Sequence, residues 1–105
     1  MPVGGETALH DAAVQGHTDA VKILIAAGAD VNRTTNSNAA TSMFTDRKLM
    51  GEAPLHFAAA FGDAAMIAAL LEAGADRSMA NSQGELALDY ATRKGRPEEI
   101  LELLR

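Results

Sequence analysis

Histidine and aspartate side chains lie close together near the start of the sequence, in the segment TALHDAAVQGHTDA between Thr7 and Ala20. Imidazole and carboxylate groups can build metal sites and general acid-base pairs, but both kinds of site need further groups that converge on one point. No third group stands at a suitable spacing from His10, and the chain has no cysteine to supply a thiolate nucleophile or metal ligand. The glycines are spread singly along the chain, unlike the clustered glycines of a phosphate-binding loop. We therefore expect no catalytic residues, no bound metal and no cofactor.

The composition indicates a folded chain with a single domain, residues 1–105. Hydrophobic residues make up 48% of the sequence, yet only three Phe and one Tyr are present, so the core must be aliphatic and closely packed. The formal net charge of -5 argues against binding to nucleic acid or to an anionic membrane, because both need clustered Lys and Arg. No apolar run approaches the roughly 20 residues of a membrane span, and we expect a soluble, cytoplasmic protein.

The sequence contains one unit of 33 residues three times. The segment ETALHDAAVQG, which begins at Glu6, returns as EAPLHFAAAFG from Glu52 and as ELALDYATRKG from Glu85. The first two copies are 46 positions apart and the last two are 33 apart, so 13 residues are inserted between the first pair. We predict repeat 1 at about 4–33, an inserted finger at about 34–50, repeat 2 at about 51–80 and repeat 3 at about 81–105.

Each unit has the spacing of two short helices. The first helices are expected to begin near residues 7, 53 and 86 and to end in a left-handed glycine cap, whereas the second helices carry an apolar stripe. The glycines expected to end helices are Gly16, Gly62 and Gly95 for the first helices, and Gly28 and Gly74 for the second.

Stacking of the units is required, because a helix pair of this length cannot bury its apolar side alone. Repeat 1 has no repeat before it in this sequence, and we expect Val21 and Ile25 to be only partly covered on that side. Exposed apolar patches of this kind favour association, so the expected state is a monomer or a weak self-associating form.

The repeated segments resemble the ankyrin repeat. TALH and APLH stand where that family has its Thr-Pro-Leu-His signature, and two alanines, the pair Gly16-His17 and the closing Gly-Ala-Asp follow in fixed register. The resemblance covers the chain outside residues 33–50 and implies an all-α ankyrin-repeat solenoid, in which antiparallel helix pairs are joined by hairpin-like fingers. It also implies that His10 and His56 are structural and hydrogen-bond the backbone of the neighbouring repeat.

Repeat 3 departs from the signature, because Asp89 replaces the histidine and Arg96-Pro97 follows the glycine. These changes are typical of a terminal, capping-type repeat, with Asp89 as a local capping or repeat-junction residue. His17, Asp30 and Asp76 stand at helix ends and turns, where their expected role is to satisfy backbone N–H groups.

The partner that the resemblance implies is a protein of unknown identity, bound by the fingers and by the exposed concave side of the first helices. Phe61 stands where the repeat pattern calls for a solvent-facing residue, so it is a candidate aromatic anchor; the alternative is that it packs over a neighbouring finger. The partner-binding positions transferred from the family are Glu6, Val14 and Gln15 in repeat 1, Leu49, Met50, Glu52, Ala60 and Phe61 around repeat 2, and Ser82, Gln83, Glu85, Arg93 and Lys94 in repeat 3.

The inserted segment RTTNSNAATSMFTDRKLM, from Arg33 to Met50, carries a charge of +2 on an otherwise acidic chain. One hypothesis is an extended recognition finger that adds Met43, Phe44, Arg47 and Lys48 to the partner-binding residues. The alternative is a tolerated loop whose apolar side chains pack back on the helices.

Two functions therefore follow from the sequence. The first is a non-catalytic protein-protein interaction module. The alternative is a structural scaffold, or a fragment of a longer or self-associating ankyrin array, either natural or engineered.

Overall fold

The computed structural model describes residues 8–34 and 51–105, which form six α-helices and no strand. The first helices begin where the sequence predicts, since Ala53 and Leu86 are the residues immediately before two of them. The helices are α1 (Ala8–Val14), α2 (Thr18–Ala26), α3 (Pro54–Phe61), α4 (Ala64–Glu72), α5 (Ala87–Arg93) and α6 (Glu98–Leu104).

The helices form two layers. Helices α1, α3 and α5 pack side by side in the inner layer, and α2, α4 and α6 pack behind them, each against the first helix of its own repeat. This arrangement confirms the all-α solenoid of antiparallel helix pairs. None of the helices in the described part of the chain is long and apolar enough to cross a membrane.

Small side chains allow the inner helices to approach closely. Ala13, Ala58, Ala59 and Ala91 are fully buried between helices, where a larger residue would push the layers apart. The expectation that Val21 would be only partly covered is wrong: it is 0% exposed, because α2 packs against both α1 and α4. Ile25, nearer the end of the same helix, is partly buried as expected.

Three different devices satisfy the first backbone N–H groups of the helices. Before α3, the N–H of Ala53 donates to Nδ1 of His56 at 3.0 Å. Before α5 the N–H of Leu86 donates to the carboxylate of Asp89 at 2.8 Å, so Asp89 performs the capping role expected from its position. At α4, the carboxylate of Asp63 accepts from the N–H of Met66 at 2.8 Å, as an N-cap residue does.

Gly62 ends α3 in a different way from the other helix-ending glycines. Gly16, Gly28, Gly74 and Gly95 all have positive φ angles, but Gly62 has an extended backbone with φ of -90°. The prediction of a left-handed cap is therefore wrong at this position. The glycine is required by space instead, because a Cβ there would lie 2.5 Å from Sδ of Met66 and 2.9 Å from the carbonyl oxygen of Ala58.

Candidate protein-binding surface

The two signature histidines connect each repeat to the next. Nε2 of His10 donates to the carbonyl oxygen of Glu52 at 2.8 Å, and Nε2 of His56 donates to that of Glu85 at 2.9 Å. Because Nδ1 of His56 accepts from the N–H of Ala53, its ring is held as the neutral Nε2–H tautomer. Both rings are buried, so these groups serve the stacking of repeats and are unavailable to a substrate.

Glu52, predicted to contact a partner, is buried and takes no part in the surface. Its side chain is 0% exposed, and one carboxylate oxygen accepts a hydrogen bond from the hydroxyl of Tyr90 on α5 at 2.5 Å. Burial, followed by the neighbouring Glu52 carboxylate, raises the pKa of Tyr90. Glu52 therefore joins repeats 2 and 3 through its side chain and repeats 1 and 2 through its carbonyl oxygen.

The finger between α4 and α5 is fixed by a polar network around Asn81. The side-chain oxygen of Asn81 accepts from the N–H groups of Gln83 and Glu85, each at 2.9 Å. Its amide nitrogen contacts the hydroxyl of Tyr90 at 2.8 Å and the carboxylate of Glu85 at 3.0 Å. The hydrogen bond from Asn81, followed by that from Arg93, lowers the pKa of Glu85. Glu85 is partly exposed, and its carboxylate is already bonded to Asn81 and Arg93.

The turn after α2 is joined to the turn after α4 by Asn32. Its amide donates to the carbonyl oxygen of Gly74 at 3.1 Å, and its side-chain oxygen accepts from the N–H of Asp76 at 2.9 Å. Asp30 and Asp76 accept backbone N–H groups two residues ahead, as the sequence predicts. His17 does not: its Nε2 contacts the side chain of Gln15 at 3.1 Å, and α2 begins without a side-chain cap.

The largest group of exposed predicted residues lies at the carboxyl ends of the inner helices. Phe61, the last residue of α3, is 45% exposed, and Val14, the last residue of α1, is 39% exposed. The corresponding end of α5 presents Arg93 and Lys94, which are also exposed. These three helix ends lie side by side, and we call Val14, Gln15, Phe61, Arg93 and Lys94 the Phe61 surface.

Both neighbouring repeats contact the chain around Phe61. The guanidinium group of Arg96 donates to the carbonyl oxygens of Ala60 and Gly62, the two residues that flank the ring. The positive charge also favours the carboxyl end of α3, where the helix dipole is negative. From the other side, the hydroxyl of Thr18 donates to the carboxylate of Asp63 at 2.9 Å. Phe61 is therefore an exposed side chain on a fixed backbone.

The two cations of the Phe61 surface have different surroundings. Arg93 lies over the ring of Tyr90, with 4.9 Å between its Cζ and the ring centroid, and forms an ion pair with Glu85. The ammonium nitrogen of Lys94 lies 5.1 Å from the centroid of the Phe61 ring. Phe61 thus lies beside a cation and is partly exposed.

The remaining predicted contact residues are placed elsewhere or lie outside the described residues. Gln83 and Ser82 are exposed in the finger before α5, whereas Arg93 and Lys94 lie at the other end of that helix. Ala60 is only 5% exposed, so its assignment to the surface is wrong: α3 is covered by α1 on one side and α5 on the other. The residues outside the described ranges are Glu6, Met43, Phe44, Arg47, Lys48, Leu49 and Met50.

Sequence reasoning missed the role of Arg96. It occupies the position of His17 and Asp63 in the other repeats, directly after the helix-ending glycine. A long cationic side chain at that position, in the repeat next to an exposed aromatic residue, is the pattern that would have indicated it. Within residues 8–34 and 51–105, no cluster of three or more His, Asp or Glu residues could hold a metal ion.

Comparison with known proteins agrees with this geometry. The family model described as ankyrin repeats (many copies) matches residues 9–71 and 55–105, which together cover almost the whole chain. The chain belongs to the ankyrin repeat family. Ankyrin repeats are generally protein-protein interaction modules and are typically non-catalytic. A comparison with curated proteins returned no match.

Proposed function

We propose that this ankyrin repeat protein is a non-catalytic binding module that holds a partner protein on the Phe61 surface. The observation that carries the proposal is the exposure of Phe61 between two carbonyl groups that accept hydrogen bonds from Arg96 of repeat 3. Large aromatic side chains that fill a pocket on the partner supply much of the binding energy in protein interfaces. The family assignment supports a protein as the partner class.

Fixation of the backbone matters because ordering a loop or side chain on binding costs free energy. The carbonyl groups on both sides of Phe61 already accept hydrogen bonds from Arg96. The backbone at the end of α3 therefore loses little conformational entropy when a partner binds. Val14 adds a second exposed apolar side chain at the end of the neighbouring inner helix. An apolar centre with polar residues around it has the composition of an interface core and its rim.

The inserted segment at about 34–50 belongs to the same proposal as a second contact region. Its side chains Met43, Phe44, Arg47 and Lys48 include an aromatic ring, which the regular finger between α4 and α5 lacks, and one more basic group than that finger has. Long loops in compact domains are commonly functional, which favours recognition over a passive insertion. We assign it contact with the partner and no role in stacking the repeats.

Selection from a random peptide library displayed on phage tests the proposal. Peptides that bind the wild-type protein are synthesised, and their dissociation constants are measured for Phe61→Ala and for Ile23→Ala. Ile23 is a matched control, because it is 68% exposed on the outer helix α2. We expect Phe61→Ala to weaken binding by about 1–3 kcal/mol and Ile23→Ala to leave it unchanged. Peptides whose binding is weakened by Ile23→Ala and unchanged by Phe61→Ala would contradict the proposal.

One observation favours self-association as a second candidate function. Ala8, Leu9, Leu24 and Ala29 line an open cleft on repeat 1, at the opposite end of the stack from repeat 3. Asp30 and Arg33 complete the lining of this cleft. Sedimentation over a wide concentration range separates the two functions, because a strict monomer at high concentration excludes self-association through this cleft.

A further inference from the structure

The cations beside Phe61 are not equivalent, because two of the three are already engaged within the protein. Arg93 pairs with Glu85, and Arg96 donates to the carbonyl oxygens of Ala60 and Gly62. Within residues 8–34 and 51–105, Lys94 forms no ion pair, and its ammonium group contacts the face of the Phe61 ring. An exposed cation-π contact is weak compared with a charge-assisted hydrogen bond to a carboxylate. Lys94 can therefore turn to a partner without breaking an ion pair.

We propose that the Phe61 surface binds an acidic segment of a partner protein, in which an apolar side chain stands beside an Asp or Glu. The apolar side chain packs on Phe61, and the carboxylate accepts a hydrogen bond from Lys94. Because the ammonium group lies over the ring, the two partner groups must be close together, as neighbouring side chains of one segment are. This inference rests on the proposed function and names the chemistry of its partner.

Charge complementarity supports an acidic occupant. The chain as a whole has a net charge of -5, so a general attraction of acidic proteins is not expected. The sequence TRKGR, however, brings three cations to the ends of α5 and α3, next to the exposed ring. Asp63, the acidic residue nearest in sequence, already accepts hydrogen bonds from Thr18 and from the N–H of Met66. Glu85 and Asp89 lie close to Arg93, so among the described residues the cation beside Phe61 that is left for a partner is Lys94.

The test uses a selected peptide in two forms, one with its Asp or Glu and one with the matching Asn or Gln. We expect the acidic form to bind the wild-type protein about tenfold more tightly, a factor that corresponds to about 1.4 kcal/mol. Lys94→Met removes the charge and keeps an apolar chain near the ring, so it should abolish the difference between the two peptides. Lys94→Glu should weaken the acidic form further. Lys22→Glu, an exposed cation on outer helix α2, is the matched control and should leave both peptides unchanged.

The outcomes separate this inference from the proposed function. If both peptide forms bind equally and Lys94→Met has no effect, while Phe61→Ala abolishes binding, the proposal of an acidic partner segment is refuted. The proposal that the Phe61 surface binds the partner is then retained. If no peptide is selected, or none depends on Phe61, both proposals fail. Circular dichroism of each variant checks that the fold is retained. Added salt should weaken the binding of the acidic peptide to the wild-type protein, and should weaken its binding to Lys94→Met much less.

Discussion

Replacement of His56 by alanine tests how the repeats are held together. The ring of His56 is 1% exposed and satisfies two backbone groups: its Nε2 donates to the carbonyl oxygen of Glu85, and its Nδ1 accepts from the N–H of Ala53. Its edge also packs against Tyr90, with ring centroids 4.9 Å apart. The alanine variant leaves both backbone groups without these partners and removes most of the ring volume.

The expected loss in the free energy of unfolding is about 2–6 kcal/mol, because each of the two unsatisfied groups costs about 1–3 kcal/mol. Asp89→Ala is the matched control. Asp89 stands at the same position in repeat 3 but is exposed and caps one N–H, that of Leu86, so its loss should cost only about 1 kcal/mol. The difference between the variants contains the bond that crosses from repeat 2 to repeat 3 together with the packing of the ring against Tyr90.

Urea unfolding followed by far-ultraviolet circular dichroism gives both values. If His56→Ala costs no more than Asp89→Ala, the bond between repeats contributes nothing and the reasoning is refuted. A second arm adds zinc to the wild-type protein, whose melting temperature should not change. A large rise in that temperature would show that the histidines bind metal, against the structural role assigned to them.

Three further predictions concern other features. Gly62→Ala should lower the free energy of unfolding by about 1–3 kcal/mol, measured by urea unfolding, because the new Cβ meets Met66 and a backbone carbonyl. Removal of residues 34–46 should leave the melting temperature equal or slightly higher, since loop length carries a weak entropic cost, and should weaken peptide binding; unfolding would show that the segment belongs to the core. Burial lowers the pKa of His10, so the unfolded chain binds the proton more readily. Stability should therefore fall as the pH drops below about 6.5, by at most about 1.4 kcal/mol per pH unit, and His10→Gln should flatten that region of the profile.

The repeated spacing of the sequence was sufficient to predict the helices and their stacking. Each repeat contains its own helix pair, so the relevant signals are local: the apolar stripe, the glycine at the helix end and the short turns. The starts of α3 and α5 follow directly from the matching segments at Ala53 and Leu86. Family membership follows from the same register.

The errors arose where one residue depends on a distant one. Glu52 occupies an exposed position by pattern, but Tyr90, 38 residues later, covers it and donates to it. The repeat pattern equates Gly62 with Gly16, but the close approach of Met66, and not a positive φ angle, requires this glycine. Periodicity reports which side of a helix is buried, and does not report which particular side chains meet across repeats.

The repeat pattern predicts that Phe61 is exposed. It does not predict which residues of repeat 3 contact Phe61 and the backbone beside it. The contact with Lys94 and the hydrogen bonds from Arg96 depend on how far repeat 3 is displaced from repeat 2. The predicted contact residues between 35 and 50 stay a prediction, since they lie outside the described ranges.

The most direct test of the binding surface is a map of backbone amide shifts by nuclear magnetic resonance, recorded on the isotope-labelled protein while a selected peptide is added. The account predicts that the largest shifts lie at the carboxyl ends of the inner helices, around Val14, Phe61 and Lys94. Amides of the outer helices, around Ile23 and Ala69, should move little. Largest shifts on the outer helices, with the end of α3 unchanged, would contradict the assignment of the Phe61 surface as the binding site.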